Sequence, residues 1–202
     1  RVESLFTFAR KADLCTEKNR LTLLGRLIIN QDPYFLNQGL LWFLHFLISS
    51  NANLVLWSRL INQIYQHTEI EKPTNLMHFF LDVRGKMSEK TFLHNGASEL
   101  GAILRTYTDE LFKPLGLFNR FEGGSYAVIT DEFPIPPLIW LASILAHRDR
   151  YYPGAGSLET NLLIDANFSP GRLFRQNEVV VRRALDGLHN QGLLTAEARL
   201  GL

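Results

Sequence analysis

Four arginine side chains lie within a short stretch of the chain that begins at the sequence FSP, residues 168–170. They are Arg172, Arg175, Arg182 and Arg183. A guanidinium group pairs with phosphate oxygens, and the backbone N–H groups of Ser169 and Gly171 could donate to the same anion. The stretch therefore predicts a contact with the phosphate backbone of double-stranded DNA. The alternative is a turn before a helix whose arginines are solvated.

A second group of polar and basic residues lies around residue 88 and further along the same segment. Its members are Lys86, Ser88, Lys90 and Arg105. If residues 88–107 form the recognition helix of a DNA-binding unit, the residues at its start would face a groove or the sugar–phosphate backbone. We predict that these residues contact DNA. An ordinary charged helix end is the alternative.

Two adjacent carboxylates, Asp131 and Glu132, follow a predicted strand. Metal-dependent cleavage of a phosphodiester needs two or three carboxylates around a divalent ion. We therefore predict Asp131 and Glu132 as catalytic residues of a DNA nickase that uses Mg²⁺ or Mn²⁺, while the remaining metal ligands stay unknown. The alternative is an exposed turn before the prolines that follow.

The composition excludes several classes of protein. The formal net charge is only +1, so any DNA contact must come from local basic patches. One cysteine rules out a disulfide framework and an iron–sulfur cluster, and it favours the cytoplasm. No glycine-rich phosphate loop with a following lysine is present, so no ATP site is expected. The longest apolar run, residues 40–48, is far shorter than the ~20 residues of a membrane helix.

Hydrophobic periodicity predicts a mainly helical chain. The predicted helices cover residues 1–14, 36–53, 54–66, 72–86, 88–107, 137–148, 157–165 and 177–190. Two β-rich runs flank a Glu-Gly-Gly turn and predict a hairpin over 115–129. Residues 166–174 are predicted as a loop, and 193–202 as the start of a strand. His45 and the three tryptophans, Trp42, Trp57 and Trp140, are expected in the core.

The order of these elements indicates the fold class. Helix, helix, longer helix and hairpin is the order of a winged helix-turn-helix unit, and a similar order recurs in the C-terminal part. We predict a mainly α fold with small β-hairpins, in which winged-helix-like units surround a central helical core. Residues 1–33 would be the C-terminal remnant of an N-terminal winged-helix-like unit. Residues 34–131 would hold the central helices with one such unit, and 132–202 a truncated C-terminal unit.

Several stretches of the sequence resemble one protein family. They are GRLIINQDPYF, LLWFLHFLISSNANLVLW, KTF followed by LRTY, LGLFNRFEGGSYAV and FSPGRLFRQNE. The resemblance covers residues 20–195 and is sharpest at 169–174 and at 40–57. On these residues the chain resembles an uncharacterised-domain family found beside bacterial DNA-sulfur genes, which includes the SspB-like component of Ssp DNA phosphorothioation systems.

The resemblance implies a role in a phosphorothioation-based anti-phage defence system. Such systems replace a non-bridging phosphate oxygen of DNA by sulfur, with a cysteine desulfurase, a sulfur carrier of the ATP-pyrophosphatase type and an ATPase. The SspB-like component would bind DNA and nick one strand to allow sulfur incorporation. Sulfur-carrier and ATPase proteins are then the implied protein partners, and they would supply the cysteine and ATP chemistry.

Three functions remain open from the sequence. The first is a metal-dependent DNA nickase. The second is a winged-helix adaptor or regulator without chemistry of its own, which positions DNA or partner proteins. The third is a protein–protein scaffold. A homodimer is compatible with each, because the aromatic-rich helices could form an oligomer interface as easily as a core.

Overall fold

A computed structural model describes residues 2–64, 69–70, 72–86, 88–90, 92 and 95–196 of the chain. The prediction of a mainly α fold with small β-hairpins is confirmed. The α-helices of the described residues are α1 Val2–Lys11, α2 Leu23–Gln31, α3 Gln38–Ser49, α4 Val55–Ile64, α5 Gly96–Thr108, α6 Pro137–Tyr151, α7 Asn161–Ile164, α8 Pro170–Leu173 and α9 Glu178–Asn190. Two 3₁₀ helices cover Asn75–Lys86 and Lys113–Leu115.

The strands form a small antiparallel sheet. β1 is Glu69–Ile70, β2 is Phe118–Arg120 and β3 is Tyr126–Val128, and the strand order in the sheet is β1-β3-β2. The predicted hairpin is confirmed as β2 and β3, with Phe118 opposite Val128. Gly123 and Gly124 form its turn with φ of 92° and 88°, a left-handed backbone that glycine adopts without strain.

Four of the predicted elements differ in the structure. The predicted helix over 72–86 is a 3₁₀ helix from residue 75, and its winding buries Leu76 and Phe80. The predicted helix over 88–107 is interrupted by a π-helical pattern at residues 92 and 95, and α5 begins only at the flexible Gly96. Residues 157–159 are not helical. Residues 193–196 form no strand, and the rest of that predicted strand lies outside the described residues.

The predicted loop over 166–174 contains the short helix α8. The Ser169 side chain accepts a hydrogen bond from the backbone N–H of Arg172, and Pro170 occupies the first helical position. Serine at the N-cap followed by proline is a favourable start for a helix because neither residue leaves an internal N–H unpaired. The loop prediction was therefore wrong for residues 170–173.

The core is continuous across the described residues. α3 lies at its centre, and its buried side chains include Trp42, Phe46 and Ile48. The same core includes Ala12 near the N-terminus and Leu188 on α9. Segments 1–33, 34–131 and 132–202 therefore share one core, and their division into separate units stays a prediction. The three tryptophans and His45 are buried, as predicted.

A hydrogen-bonded network of buried side chains joins four helices. His45 Nδ1 on α3 lies 2.7 Å from the Tyr107 hydroxyl on α5, and His45 Nε2 lies 3.0 Å from the carbonyl oxygen of Leu173 on α8. The indole N–H of Trp57 on α4 donates to the same hydroxyl at 3.0 Å. Because a carbonyl only accepts, Nε2 carries the proton of the neutral ring and Nδ1 accepts from Tyr107. Burial raises the pKa of Tyr107 and keeps the hydroxyl protonated.

Large apolar side chains are exposed over one part of the surface. Six of them lie between residues 21 and 36, namely Leu21, Leu23, Leu27, Ile29, Tyr34 and Leu36. Leu36 is 82% exposed and Tyr34 is 81% exposed. A concentration of exposed apolar area is typical of a surface that contacts another molecule. None of the described helices has both the length and the apolar character to cross a bilayer.

Candidate nucleic-acid interface

Ser169 and Gly171 are buried parts of the α8 turn. The Ser169 N–H donates to the Ala166 carbonyl at 3.0 Å, and its hydroxyl donates to the Ile164 carbonyl at 3.1 Å. A Cβ on Gly171 would lie 2.6 Å from the Ile164 oxygen, so glycine permits the close approach of α8 to the end of α7. Both residues therefore serve packing, and the predicted anion contact at Ser169 and Gly171 was wrong because neither is accessible.

Arg172 and Arg175 are half-buried and donate to carbonyl oxygens of distant segments. Arg172 Nε donates to the carbonyl of Asn62 on α4 at 3.0 Å, and its Nη1 donates to Asp165 at 3.0 Å. Arg175 has a φ of 56° and donates from Nε to the carbonyl of Ile129, directly after β3, at 3.1 Å. These arginines thus fasten the α8 segment to α4 and to the sheet. That they also contact DNA stays a prediction.

Arg182 and Arg183 are exposed on α9, and each faces a carboxylate. Arg182 lies 2.7 Å from Glu178 and Arg183 lies 3.0 Å from Glu132. Exposed ion pairs of this kind contribute about 0–1 kcal/mol to stability, so a phosphate could displace either carboxylate. Their DNA contacts also stay predictions, although the carboxylates lower the local positive charge.

The predicted catalytic pair lies on an exposed turn beside α9. Asp131 and Glu132 are both exposed, and Glu132 is engaged by Arg183 at 3.0 Å. In the described part of the chain, no three His, Cys, Asp or Glu side chains come together to hold a metal ion. A magnesium centre needs further oxygen ligands, so the residues around this turn do not fit one. The catalytic assignment stays a prediction without a supporting cluster.

The α5 surface has a different character. Lys90 and Arg105 are exposed, and neither pairs with a carboxylate of the described residues. Ser88 is exposed as well, whereas the side chain of Lys86 lies outside the described residues. The outer face of α5 carries small or basic residues, among them Ser98, Ala102 and Arg105. Small side chains let a flat or grooved partner approach the helix axis closely.

Lys72 adds a cation to this surface that the sequence analysis did not single out. Lys72 is exposed, and the adjacent Pro73 contacts α5, with Cγ 3.6 Å from a Cβ built on Gly101. Arg105 Nη1 lies at the same distance, 3.6 Å, from that position. Lys72 and Arg105 therefore approach the same point of α5. No local signal could reveal this, because the two residues are far apart in the sequence.

Two solved structures share this fold. The first, "Magnesium ion-bound SspB crystal structure", matches with a TM-score of 0.72 and 17% sequence identity over 94% of this chain and 65% of that chain. The second, "SspB crystal structure", matches with a TM-score of 0.65 and 16% identity over 91% of this chain and 63% of that chain. The present chain thus spans less than two thirds of the length of either SspB chain. The predicted resemblance to SspB-like proteins is confirmed at the level of the fold.

The sequence family is also clear. A model of the family "Protein of unknown function (DUF4007)" matches residues 2–202. The chain therefore belongs to this family. The sequence matches no curated protein.

Proposed function

We propose that this chain is the DNA-binding component of an Ssp-type phosphorothioation system and that it contacts duplex DNA through α5 and the β2–β3 hairpin. The proposal rests first on topology. The order α4, β1, 3₁₀ helix 75–86, α5, β2, β3, with sheet order β1-β3-β2, is that of a winged helix. In helix-turn-helix units the second helix of the motif lies in the major groove, and α5 occupies that place here.

The distribution of cations supports the same surface. Lys72, Lys90 and Arg105 surround α5 and pair with no carboxylate of the described residues. By contrast, Arg182 and Arg183 on α9 each neutralise a carboxylate. A cation without a partner can pair with a phosphate without first breaking an ion pair, and it releases condensed counterions when it does so.

Salt-dependent binding to a labelled duplex tests this proposal. Each phosphate contact contributes about 0.9 to the slope of log K against log salt, so Lys90→Ala with Arg105→Ala should reduce the slope by about two. The matched control is Arg182→Ala with Arg183→Ala, which removes the same number of charges from α9 and should leave the slope nearly unchanged. A smaller slope with the α9 pair, and not with the α5 pair, would move the interface to α9.

Protein docking is a second candidate function, and the exposed apolar surface between residues 21 and 36 favours it. We propose that a sulfur-carrier or ATPase protein of the same system covers this surface. Leu23 and Leu27 lie one turn apart on α2 and are 68% and 50% exposed. Leu23→Ser with Leu27→Ser should abolish co-elution with such a partner while duplex binding is retained. Unchanged co-elution would remove α2 from the interface.

Nicking is not assigned to Asp131 and Glu132. The magnesium ion in the similar SspB structure favours testing for it, but the described residues here hold no matching cluster. Relaxation of supercoiled plasmid with Mg²⁺ or Mn²⁺ is the assay. Nicking that is lost in Asp131→Asn and in Glu132→Gln, with duplex binding intact, would restore the catalytic assignment.

A further inference from the structure

The segment between α1 and α2 folds into a tight basic turn. Cys15 and Leu21 form an antiparallel bridge, and the Thr16 N–H donates to the Arg20 carbonyl at 2.8 Å. Asn19 reverses the chain with a φ of 56°. Residues 16–20 are all exposed, and two of them are Lys18 and Arg20. The turn therefore projects two cations from the surface.

Contacts with the rest of the fold hold this turn in place. A Cβ on Gly25 would lie 2.2 Å from the Leu14 carbonyl oxygen, so α2 packs directly on the start of the turn. The Thr22 hydroxyl donates to the Asp13 carbonyl at 2.7 Å. From α6, Arg150 Nη2 donates to Asp13 Oδ2 at 2.8 Å. The cations of the turn are thus presented on a braced support and not on a free loop.

The charge of this region differs from that of the remaining chain. Residues 10–26 contain five of the 21 basic residues and two of the 20 acidic residues, so the rest of the chain carries more acid than base. Both acids are already paired, Asp13 with Arg150 and Glu17 with Arg10. Lys18, Arg20 and Arg26 are exposed and pair with no carboxylate in the described part of the chain.

The end of α1 places this region beside α5. Lys11 Nζ donates to the Asn53 carbonyl at 3.1 Å, just before α4. The same ammonium lies close enough to Glu99 on α5 to oppose the rise in the pKa of that carboxyl, which burial causes. The turn after α1 therefore borders the face of α5 at its Glu99 side, whereas Lys72 and Arg105 lie at the opposite side.

We propose that the turn 16–20, together with Arg26, is a second contact for the phosphate backbone of the duplex that α5 binds. This inference rests on the proposed function. Lys18, Arg20 and Arg26 would hold backbone phosphates on one side of the α5 contact and orient the duplex across the helix. Because these residues reach phosphates and not base edges, they add affinity without sequence preference.

The test compares three proteins in the same duplex-binding titration over a range of salt concentrations. Wild type, Lys18→Ala with Arg20→Ala, and Lys90→Ala with Arg105→Ala are measured with two duplexes of unrelated sequence. We expect the turn variant to lower the salt slope by about two, and equally for both duplexes. Unfolding in urea checks the fold, which these exposed substitutions should leave intact.

The outcomes separate this inference from the proposed function. If the turn variant keeps the wild-type slope while the α5 variant lowers it, the second contact is refuted and binding through α5 stands. If the turn variant loses affinity for only one of the duplexes, the turn reads sequence and the backbone role is refuted. If the wild type binds neither duplex, both proposals fail together.

Discussion

Mild acid should destabilise this protein through one buried ring. His45 is fully buried, and its two nitrogens are hydrogen-bonded to Tyr107 and to the Leu173 carbonyl. A second proton would place a charge away from water and turn Nδ1 into a donor toward a hydroxyl that already donates to it. Burial accordingly lowers the pKa of His45 to about 4, although the Leu173 carbonyl opposes the shift.

The size of the effect follows from the two pKa values. In the unfolded chain His45 titrates near its ordinary pKa of 6.5, whereas in the folded chain the pKa is about 4. The unfolded chain therefore takes up the proton first, and stability falls as the pH drops from 6.5 toward 4. The full difference corresponds to about 3 kcal/mol, of which about 2 kcal/mol is lost between pH 7 and pH 5.

Urea unfolding followed by tryptophan fluorescence at pH 7, 6 and 5 measures this loss. The informative variant is His45→Gln, because glutamine can donate to Leu173 and accept from Tyr107 but does not titrate. The variant should be less stable than wild type at pH 7, and the gap should narrow by about 2 kcal/mol at pH 5. His189→Gln, on the exposed side of α9, is the control and should follow the wild-type pH profile.

A gap between wild type and His45→Gln that stays constant from pH 7 to pH 5 would refute this account. Such a result would mean that His45 is charged in the folded protein or that it stays neutral in the unfolded chain. His147 is also buried, and burial lowers its pKa. It contributes to the slope of both proteins equally, so the comparison isolates His45.

Two further predictions concern stability. Gly171→Ala should lower the free energy of unfolding by about 2 kcal/mol, because the added Cβ meets carbonyl oxygens at 2.6 and 2.8 Å. Its control is Gly187→Ala on α9, where a Cβ meets nothing within 4 Å and the change should be neutral or stabilising by up to ~1 kcal/mol. Tyr107→Phe should cost about 2 kcal/mol, because the Trp57 N–H and His45 Nδ1 lose a shared partner. Urea midpoints check each, and equal midpoints for the two glycine variants would contradict the packing argument.

Local patterns predicted several elements correctly. The Glu-Gly-Gly turn predicted the hairpin because two residues with positive φ favour glycine, and this requirement is local. The amphipathic pattern of 177–190 predicted α9, and the apolar run around Trp42 predicted a buried helix. The helix α8 could also have been predicted, because Ser169 followed by Pro170 is a helix start.

The candidate site was less accessible from sequence. Arg172 and Arg175 looked like phosphate ligands, but their hydrogen-bond acceptors lie 110 and 46 residues away for Asn62 and Ile129. A basic motif has the same appearance whether its partner is a phosphate or a distant carbonyl. Similarly, Lys72 and Arg105 converge on Gly101 only because the chain reverses between them.

The sequence by itself determined that this chain is mainly helical, that α3 is buried and that the β2–β3 hairpin follows the helix with the outward Arg105. Periodicity and turn chemistry act over a few residues, so one segment is enough to reveal them. Only the tertiary structure decided which cations are neutralised and which are available. An ion pair such as Arg183 with Glu132 joins residues 51 positions apart, and its formation depends on the packing of the whole chain.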